Sequence, residues 1–150
     1  MIRRAQQKDV RFIHQLLAQY GGQGMLLARP LSEIYEFLRD FVIAEDDSGE
    51  RVGVCALHLI WEDLCEIRSL AVLPAYRGQG WGTRLAESCI SEAVTLGFHK
   101  IFVLTYRVDF FKQLGFREVE KQALPNKIWA DCVKCVKFPD CDETALLWEM

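Results

Sequence analysis

The sequence predicts an α/β fold, and three observations carry that prediction. Residues 64–72 are typical of a strand, and the stretch 69–82, SLAVLPAYRGQGWG, leads from this strand through a glycine-rich turn into an amphipathic helix. A buried strand at 100–105 follows the helix, so the crossover predicts a parallel pair of strands. Strands at 41–45 and 51–61, joined by the turn residues DDSG, predict an antiparallel hairpin before that pair.

The remaining elements follow from hydrophobic periodicity and from residues that favour helix ends. A short strand is expected at 2–5, and Asp9 is expected to cap a helix that ends near residue 22. Pro30 favours the first turn of a second helix, whose apolar face would carry Leu31, Ile34, Leu38 and Phe41. Helices are also predicted at 82–96 and 108–114, strands at 116–124 and 144–148, and a long loop at 125–142.

Length and composition favour one domain that spans residues 1–150. The chain has 150 residues, of which 51% are hydrophobic, and this is enough to bury a core without cross-links. The net charge of −3 gives no general electrostatic attraction for nucleic acid or an anionic membrane, so small-molecule substrates are expected. The N-terminus lacks the apolar core of a signal peptide, and a cytoplasmic protein is expected. Homodimer formation is left open.

Of the six cysteines, three are scattered through apolar segments, and the other three lie close together near the C-terminus. Cys55 and Cys89 lie in apolar segments and are expected to be reduced core residues. Cys132, Cys135 and Cys141 form a Cys-x2-Cys-x5-Cys pattern, which offers three soft metal ligands. Because structural zinc usually takes four ligands, zinc is an alternative here but is not favoured over reduced thiols or a disulfide, and no metal site is predicted.

The glycine-rich turn predicts an anion site. Gly78, Gly80 and Gly82 alternate, so the backbone can adopt positive φ and approach a ligand closely. The first N–H groups of the following helix lack partners within the helix and suit a phosphate. Arg77 adds a guanidinium at the start of the turn, which favours a pyrophosphate. The spacing fits neither a Walker loop nor a dinucleotide fingerprint.

Two ordered motifs resemble the GNAT N-acetyltransferases. Arg77-x-x-Gly80-x-Gly82 is similar to motif A of that family, and residues 109–116, DFFKQLGF, are similar to its closing segment. The resemblance implies a mixed, mostly antiparallel sheet with a central, splayed parallel pair and helices on both faces, and it implies acetyl-CoA as co-substrate. The residues expected to bind acetyl-CoA are Leu70, Ala71, Val72, Arg77, Gly78, Gln79, Gly80, Trp81, Gly82, Thr83, Phe110 and Phe111.

Three further stretches narrow the resemblance. They are LLARPLSEIY at 26–35, GVCAL at 53–57, and IFVLTYR at 101–107, the last followed by Leu124-Pro-x-Lys127. Together they resemble the short, single-domain N-acetylglutamate synthases. This similarity implies transfer of an acetyl group to the α-amine of L-glutamate, the first step of arginine biosynthesis, by direct attack in a ternary complex.

The same resemblance suggests cations that would bind the two carboxylates of glutamate. Arg29 matches the arginine of the loop between the first two helices of the family, while Arg68 and Lys127 follow from their strand face and loop. Each could instead be an ordinary surface charge. Strict alternation along 64–72 would put Glu66, Arg68 and Leu70 on one face, unless a bulge intervenes.

Glu66 matches the glutamate that serves as general base in several GNAT enzymes. The alternative is a strand glutamate that only pairs with Arg68. Many of these enzymes have a tyrosine general acid where this chain has Phe111, so Tyr106, water or no discrete acid remain alternatives.

Two other functions stay open at this level. A GNAT enzyme could acetylate another amino acid, a polyamine or a protein N-terminus. A non-catalytic acyl-CoA sensor, which would be a binding protein rather than an enzyme, is the other alternative. Phe111 in the position of the usual general acid favours it.

Overall fold

The computed structural model describes residues 1–26, 28–124 and 143–150, and these form a seven-stranded mixed sheet. The strands are β1 (Ile2–Arg4), β2 (Phe41–Glu45), β3 (Arg51–Trp61), β4 (Leu64–Val72), β5 (Lys100–Thr105), β6 (Arg117–Glu118) and β7 (Thr144–Glu149). Their order across the sheet is β1-β2-β3-β4-β5-β7-β6. The α-helices of the described residues are α1 (Val10–Gly22), α2 (Leu31–Glu36), α3 (Trp81–Thr95) and α4 (Val108–Gln113).

Strands β4 and β5 form the predicted parallel pair at the centre of the sheet, and the other neighbouring strands pair antiparallel. The parallel ladder has two residue pairs, Cys65 with Ile101 and Glu66 with Phe102. Beyond these pairs no ladder joins β4 to β5, although β5 stays paired with β7 over its whole length. The two strands therefore separate toward their carboxyl ends, which confirms the splayed pair.

The helices cover both faces of the sheet, as expected. On one face, α3 buries Leu85, Cys89 and Ala93, and α4 buries Phe111, against the central strands. On the other face, α1 and α2 bury a second cluster with strands β2 to β4, comprising Val10, Ile13, Leu16, Leu17, Ile34, Ile43, Val54 and Ala56. Cys55 and Cys89 are fully buried and free, as predicted. No helix within the described ranges has the length and apolar character needed to cross a membrane.

Two elements are shorter than predicted. Helix α2 ends at Glu36, and a 3-10 turn at Leu38–Asp40 leads directly into β2, where Phe41 pairs with Ala56. Sheet pairing therefore overrides the helical spacing that placed Phe41 on α2. The predicted strand at 116–124 is reduced to Arg117–Glu118, because the chain leaves the sheet edge and forms a 3-10 turn at Lys121–Ala123.

Asp9 does not cap α1 with its side chain; it holds three separate segments together instead. Its carboxylate accepts a bidentate pair of hydrogen bonds from Arg3 at 2.7 and 2.9 Å, one from the backbone N–H of Gln6 at 2.7 Å, and one from Nε of Arg51 at 2.8 Å. Burial raises the pKa of Asp9, but these hydrogen bonds outweigh burial and lower the pKa from 3.8 to about 2. The ionised carboxylate therefore stabilises the junction of β1, α1 and β3.

Replacing this carboxylate should destabilise the fold in a pH-dependent way. We expect Asp9→Asn to lower the free energy of unfolding by about 2 to 4 kcal/mol at pH 7, measured by urea denaturation. Because the folded state lowers the pKa, the stabilisation is complete above about pH 4 and is lost as the pH falls toward 2. The difference in free energy of unfolding between wild type and Asp9→Asn should therefore become smaller as the pH falls from about 4 toward 2. Asp47→Asn, at an exposed turn position, is the matched control, and equal stability of the two variants at pH 7 would contradict the assignment.

Candidate active site

The glycine-rich turn joins β4 to α3 and adopts the backbone conformation that its sequence predicts at two positions. Gly78 and Gly80 have φ of +77° and +86°, and a Cβ atom at either position would meet nothing within 4 Å. Gly80 immediately precedes α3, whose first N–H groups lack acceptors within the helix. Gly82 differs from the prediction because it is helical, and a Cβ there would lie 3.6 Å from the ring of Phe110.

One cavity of about 590 Å³ lies between the separated ends of β4 and β5 and extends over the glycine turn. It brings together most of the residues predicted to bind acetyl-CoA, namely Leu70, Ala71, Val72, Arg77, Gly78, Gly80, Trp81, Gly82, Thr83, Phe110 and Phe111. Gln79 does not line it. The same cavity is lined by Glu66, Arg68, Arg29 and Tyr106, so the predicted cofactor and acceptor regions are continuous. Lys127 lies outside the described residues.

A β-bulge in β4 shapes this cavity and breaks the predicted alternation. Arg68 pairs with Ala56 and Ala71 with Val54, so β4 has two residues where β3 has one. Ser69, inside the bulge, has a φ of +59°, which a residue with a side chain rarely adopts. As a result Leu70 packs with the α3 side of the sheet, rather than sharing a face with Glu66 and Arg68 as strict alternation predicts.

Glu66 and Arg68 remain on the α1 and α2 side, where they meet Arg29. The side chains of Glu66, Arg68 and Arg29 are 11%, 10% and 9% exposed. Nη1 of Arg68 lies 3.7 Å from Oε1 of Glu66, and Nη1 of Arg29 lies 3.4 Å from Oε2 of Glu33. Two buried guanidinium groups therefore line one end of the cavity, each with a carboxylate within 4 Å.

Tyr20 holds Arg77 beside the glycine turn, a role that the sequence reading missed. The Tyr20 hydroxyl donates to the carbonyl oxygen of Val72 at 2.5 Å and accepts from Nε of Arg77 at 2.9 Å, and it also accepts from Nη2. The guanidinium carbon of Arg77 lies 5.0 Å from the centre of the Tyr20 ring. In the sequence Tyr20 is visible only as one more apolar position on α1.

The aromatic residues of α4 do not supply a proton donor. Phe111 is buried, and its ring makes edge-to-face contacts with Phe110 and Phe116 at 5.0 and 5.3 Å. Tyr106, which is 39% exposed, lines the same cavity. Arg107 also lines the cavity, with its guanidinium carbon 4.5 Å from the centre of the Phe110 ring. The sequence reading used Arg107 only as the end of a family stretch and missed it as a site residue.

Metal ligands are not assembled in the part of the chain that the structure describes. No group of three or more His, Cys, Asp or Glu side chains there could hold an ion. The pattern of Cys132, Cys135 and Cys141 falls outside the described residues. Burial raises the pKa of Cys65 to about 12, which keeps this core thiol protonated and unsuited to metal binding at neutral pH.

The chain belongs to the GNAT acetyltransferase family, whose sequence model matches residues 11–116. It is 40% identical over 146 residues to an uncharacterised N-acetyltransferase of Chlorobaculum tepidum, with 97% of this chain and 94% of that protein covered. It is 41% identical over 122 residues to an amino-acid acetyltransferase of Mycobacterium tuberculosis, with 80% and 70% covered. Family and site together define an acetyl-CoA-dependent N-acetyltransferase.

Solved structures agree with this assignment. A Mycobacterium tuberculosis protein in complex with CoA and NLQ has a TM-score of 0.86 and 32% identity, with 100% of this chain and 99% of that chain covered. N-acetylglutamate synthase from Neisseria gonorrhoeae, complexed with CoA and N-acetyl-glutamate, has a TM-score of 0.89 and 28% identity. The match covers 99% of this chain and 34% of the synthase, so the chain spans about a third of that longer enzyme. The predicted fold and co-substrate are thereby confirmed.

A carboxylate placed in the glycine turn should block the cofactor. We expect Gly80→Asp to weaken acetyl-CoA binding by at least about 100-fold, measured by isothermal titration calorimetry, because it puts negative charge and a side chain where the pyrophosphate is expected. Gly49→Asp is the matched control: Gly49 also has positive φ, +82°, with open space around it, but it lies in the β2–β3 turn. Both variants share the backbone strain. Equal affinity for acetyl-CoA in the two folded variants would contradict the assignment of the phosphate site.

Proposed function

We propose that this enzyme transfers the acetyl group of acetyl-CoA to the α-amino group of L-glutamate, by direct attack in a ternary complex. The observation that carries the proposal is a single cavity with the glycine turn in one part and Glu66, Arg29 and Arg68 in another. The relatives named amino-acid acetyltransferase and N-acetylglutamate synthase support the same acceptor. The proposal includes a single domain over residues 1–150, a cytoplasmic location and the first step of arginine biosynthesis.

In this proposal the pyrophosphate of acetyl-CoA accepts hydrogen bonds from the backbone around Gly78 and Gly80 and from the first turn of α3. Arg77, oriented by Tyr20, adds a charged donor. Leu70, which follows the bulge in β4, lines the cavity, and a backbone N–H near it would stabilise the thioester oxygen as it becomes anionic. The remaining proposed contacts come from Ala71, Val72, Gln79, Trp81, Gly82, Thr83, Phe110 and Phe111.

Glutamate suits the acceptor end because it carries two carboxylates. Arg29 and Arg68 are both about nine-tenths buried, and a guanidinium in such an environment binds a carboxylate more strongly than one in water. Arg107 lines the same cavity and adds a third cation. Lys127 stays a predicted ligand on the strength of the sequence resemblance.

Glu66 is the proposed general base. Its carboxylate removes a proton from the α-ammonium group, directly or through water, and the freed nitrogen lone pair attacks the thioester carbonyl carbon. The carbon–sulfur bond then breaks and the electron pair leaves on sulfur. The thiolate takes a proton from Tyr106 or from water, since Phe111 has none to give, and the second proton of the nitrogen, lost as the amide forms, restores that donor.

Removing the base should reduce the rate without reducing cofactor affinity. We expect Glu66→Gln to lower kcat about 10²- to 10⁴-fold, with the dissociation constant of acetyl-CoA unchanged, measured by CoA release and calorimetry. Glu87→Gln, at an exposed position of α3, is the control and should behave as wild type. If Glu66→Gln keeps the wild-type turnover and the same acidic limb of the pH profile, Glu66 only pairs with Arg68.

Removing one of the cations proposed to bind a carboxylate of glutamate should weaken acceptor binding alone. Loss of a charge-assisted contact costs about 1.5 to 3 kcal/mol, so Arg29→Ala should raise the KM for glutamate roughly ten- to a hundred-fold. The affinity for acetyl-CoA should stay the same. Arg11→Ala, at an exposed position on α1, is the matched control.

The acceptor itself is tested with wild-type enzyme and a panel of amines. Glutamine keeps the shape of glutamate but lacks the side-chain charge, so it should be the poorer acceptor. If glutamine equals glutamate, or if lysine or a peptide amine exceeds both, the enzyme remains an acetyltransferase but the glutamate proposal fails.

A further inference from the structure

A histidine that pairs with an aspartate lies beside the proposed base, directly opposite it on the neighbouring strand. His58 on β3 is the register partner of Glu66 on the antiparallel strand β4. Directly opposed residues of an antiparallel pair project from the same face, with their Cβ atoms roughly 5 Å apart. Nδ1 of His58 lies 2.6 Å from Oδ2 of Asp40, in the 3-10 turn before β2. The two side chains are 20% and 21% exposed, whereas that of Glu66 is 11% exposed.

The groups packed around His58 come from three segments. Asp40 faces it from the 3-10 turn, Phe37 touches it edge-to-face with ring centres 5.0 Å apart, and Glu66 faces it from β4. Arg68 belongs to the same face and lies 5.8 Å from the centre of the Phe37 ring. A row of charged and polar groups therefore runs from the cavity, at Glu66 and Arg68, to the more exposed Asp40.

Acetyl transfer to an amine releases one proton, which needs a route to solvent. An α-ammonium group loses two protons when it becomes a secondary amide: one is balanced by the S–H bond that forms on the CoA thiolate, and the other must reach solvent. Glu66 takes the proton that must reach solvent, yet the cavity it lines would hold acetyl-CoA and the acceptor during the proposed reaction. On its other side Glu66 faces His58, which is more exposed.

We propose that His58, held by Asp40, accepts the proton from Glu66 and passes it to solvent. The inference rests on the role of Glu66 under the proposed function. The hydrogen bond from Nδ1–H to Asp40 leaves the lone pair on Nε2 as the acceptor. In the step, the O–H bond of the Glu66 carboxylic acid breaks and an N–H bond forms at Nε2, directly or through one water. The imidazolium is stabilised by Asp40 until it releases the proton to bulk water, and Glu66 is again a carboxylate.

Nuclear magnetic resonance can test the coupling without an acceptor. The chain has three histidines, so the imidazole Cε1–H signals of His14, His58 and His99 can be assigned by substitution. Because Glu66 faces the imidazole from β4, Glu66→Gln should change the chemical shift of the His58 Cε1–H signal at a fixed pH. His99, beside Asp63 at the surface, is the internal control and should not move. Identical His58 signals in the two proteins would overturn the relay.

Kinetics test the relay in turnover, with whichever amino acid gives the fastest CoA release. We expect His58→Gln to lower kcat about tenfold or more with the KM for acetyl-CoA unchanged, and added imidazole should restore part of the rate. In a plot of log kcat against pH, the slope of the acidic limb should be smaller by one proton than that of wild type. Asp40→Asn should resemble His58→Gln, and His99→Gln should match wild type.

The outcomes separate the two proposals. If Glu66→Gln turns over at the wild-type rate, the base is misassigned and the relay falls with it. If Glu66→Gln is inactive while His58→Gln keeps the wild-type rate, only the relay is wrong. A loss of rate in His58→Gln with neither imidazole rescue nor a changed acidic limb would show that His58 acts by packing, and this also overturns the relay.

Discussion

The separation of β4 from β5 is the constraint on which the rest of the site depends. Two parallel neighbours that stayed paired to their ends would bury their backbone groups in a ladder and leave no room for a ligand. Here the ladder stops at Glu66 and Phe102, and the bulge at Ser69 turns the chain away from its neighbour. The positive φ at Ser69 costs on the order of 1 to 3 kcal/mol, which the surrounding core must offset. The same departure from regular pairing makes room for the cavity, which Ser69 and Leu70 line.

The glycine turn is fixed from both layers of the fold. From α1, Tyr20 binds both the end of β4, at Val72, and the guanidinium of Arg77. From the β2–β3 turn, Asp46 accepts a hydrogen bond from Tyr76 at 2.9 Å, which raises the pKa of that phenol. These contacts place the ends of the turn before any ligand arrives, so less ordering is needed on binding. Although Gly78 and Gly80 make the loop flexible, these contacts therefore keep it close to one conformation before the ligand binds.

The sequence predicts the parts of this site that depend on local pattern. The strand, the glycines and the helix that follows are contiguous, so the turn and the parallel pair could be inferred from order alone. The face shared by Glu66 and Arg68 also follows from period 2, because it ends just before the bulge. The bulge itself has no signal in a single sequence, since Ser69 is an ordinary strand residue by composition.

What the sequence could not predict comes from contacts between distant segments. Asp9 looks like a helix cap, yet Arg51 arrives beside it only when β3 pairs with β2. Tyr20 and Arg77 are 57 residues apart, and the pattern of α1 shows an apolar face rather than a hydroxyl aimed at a turn. A role for His58 can be inferred only from the β3–β4 register, which places it opposite Glu66. Side-chain roles of this kind depend on tertiary structure, and local propensity carries no information about them.

The charge balance at the acceptor end links the base to substrate binding. A buried cation without a counter-charge is costly, and Glu33 and Glu66 reduce that cost for Arg29 and Arg68 in the protein without ligands. When Glu66 is protonated in the proposed reaction, Arg68 would lose one neighbouring negative charge and interact more strongly with a carboxylate of the acceptor. In the proposed reaction that state would hold the acceptor during attack but would also slow product release. Rapid loss of the proton from Glu66 restores the original balance, so an exit path on the side of β3 would serve turnover as well as chemistry.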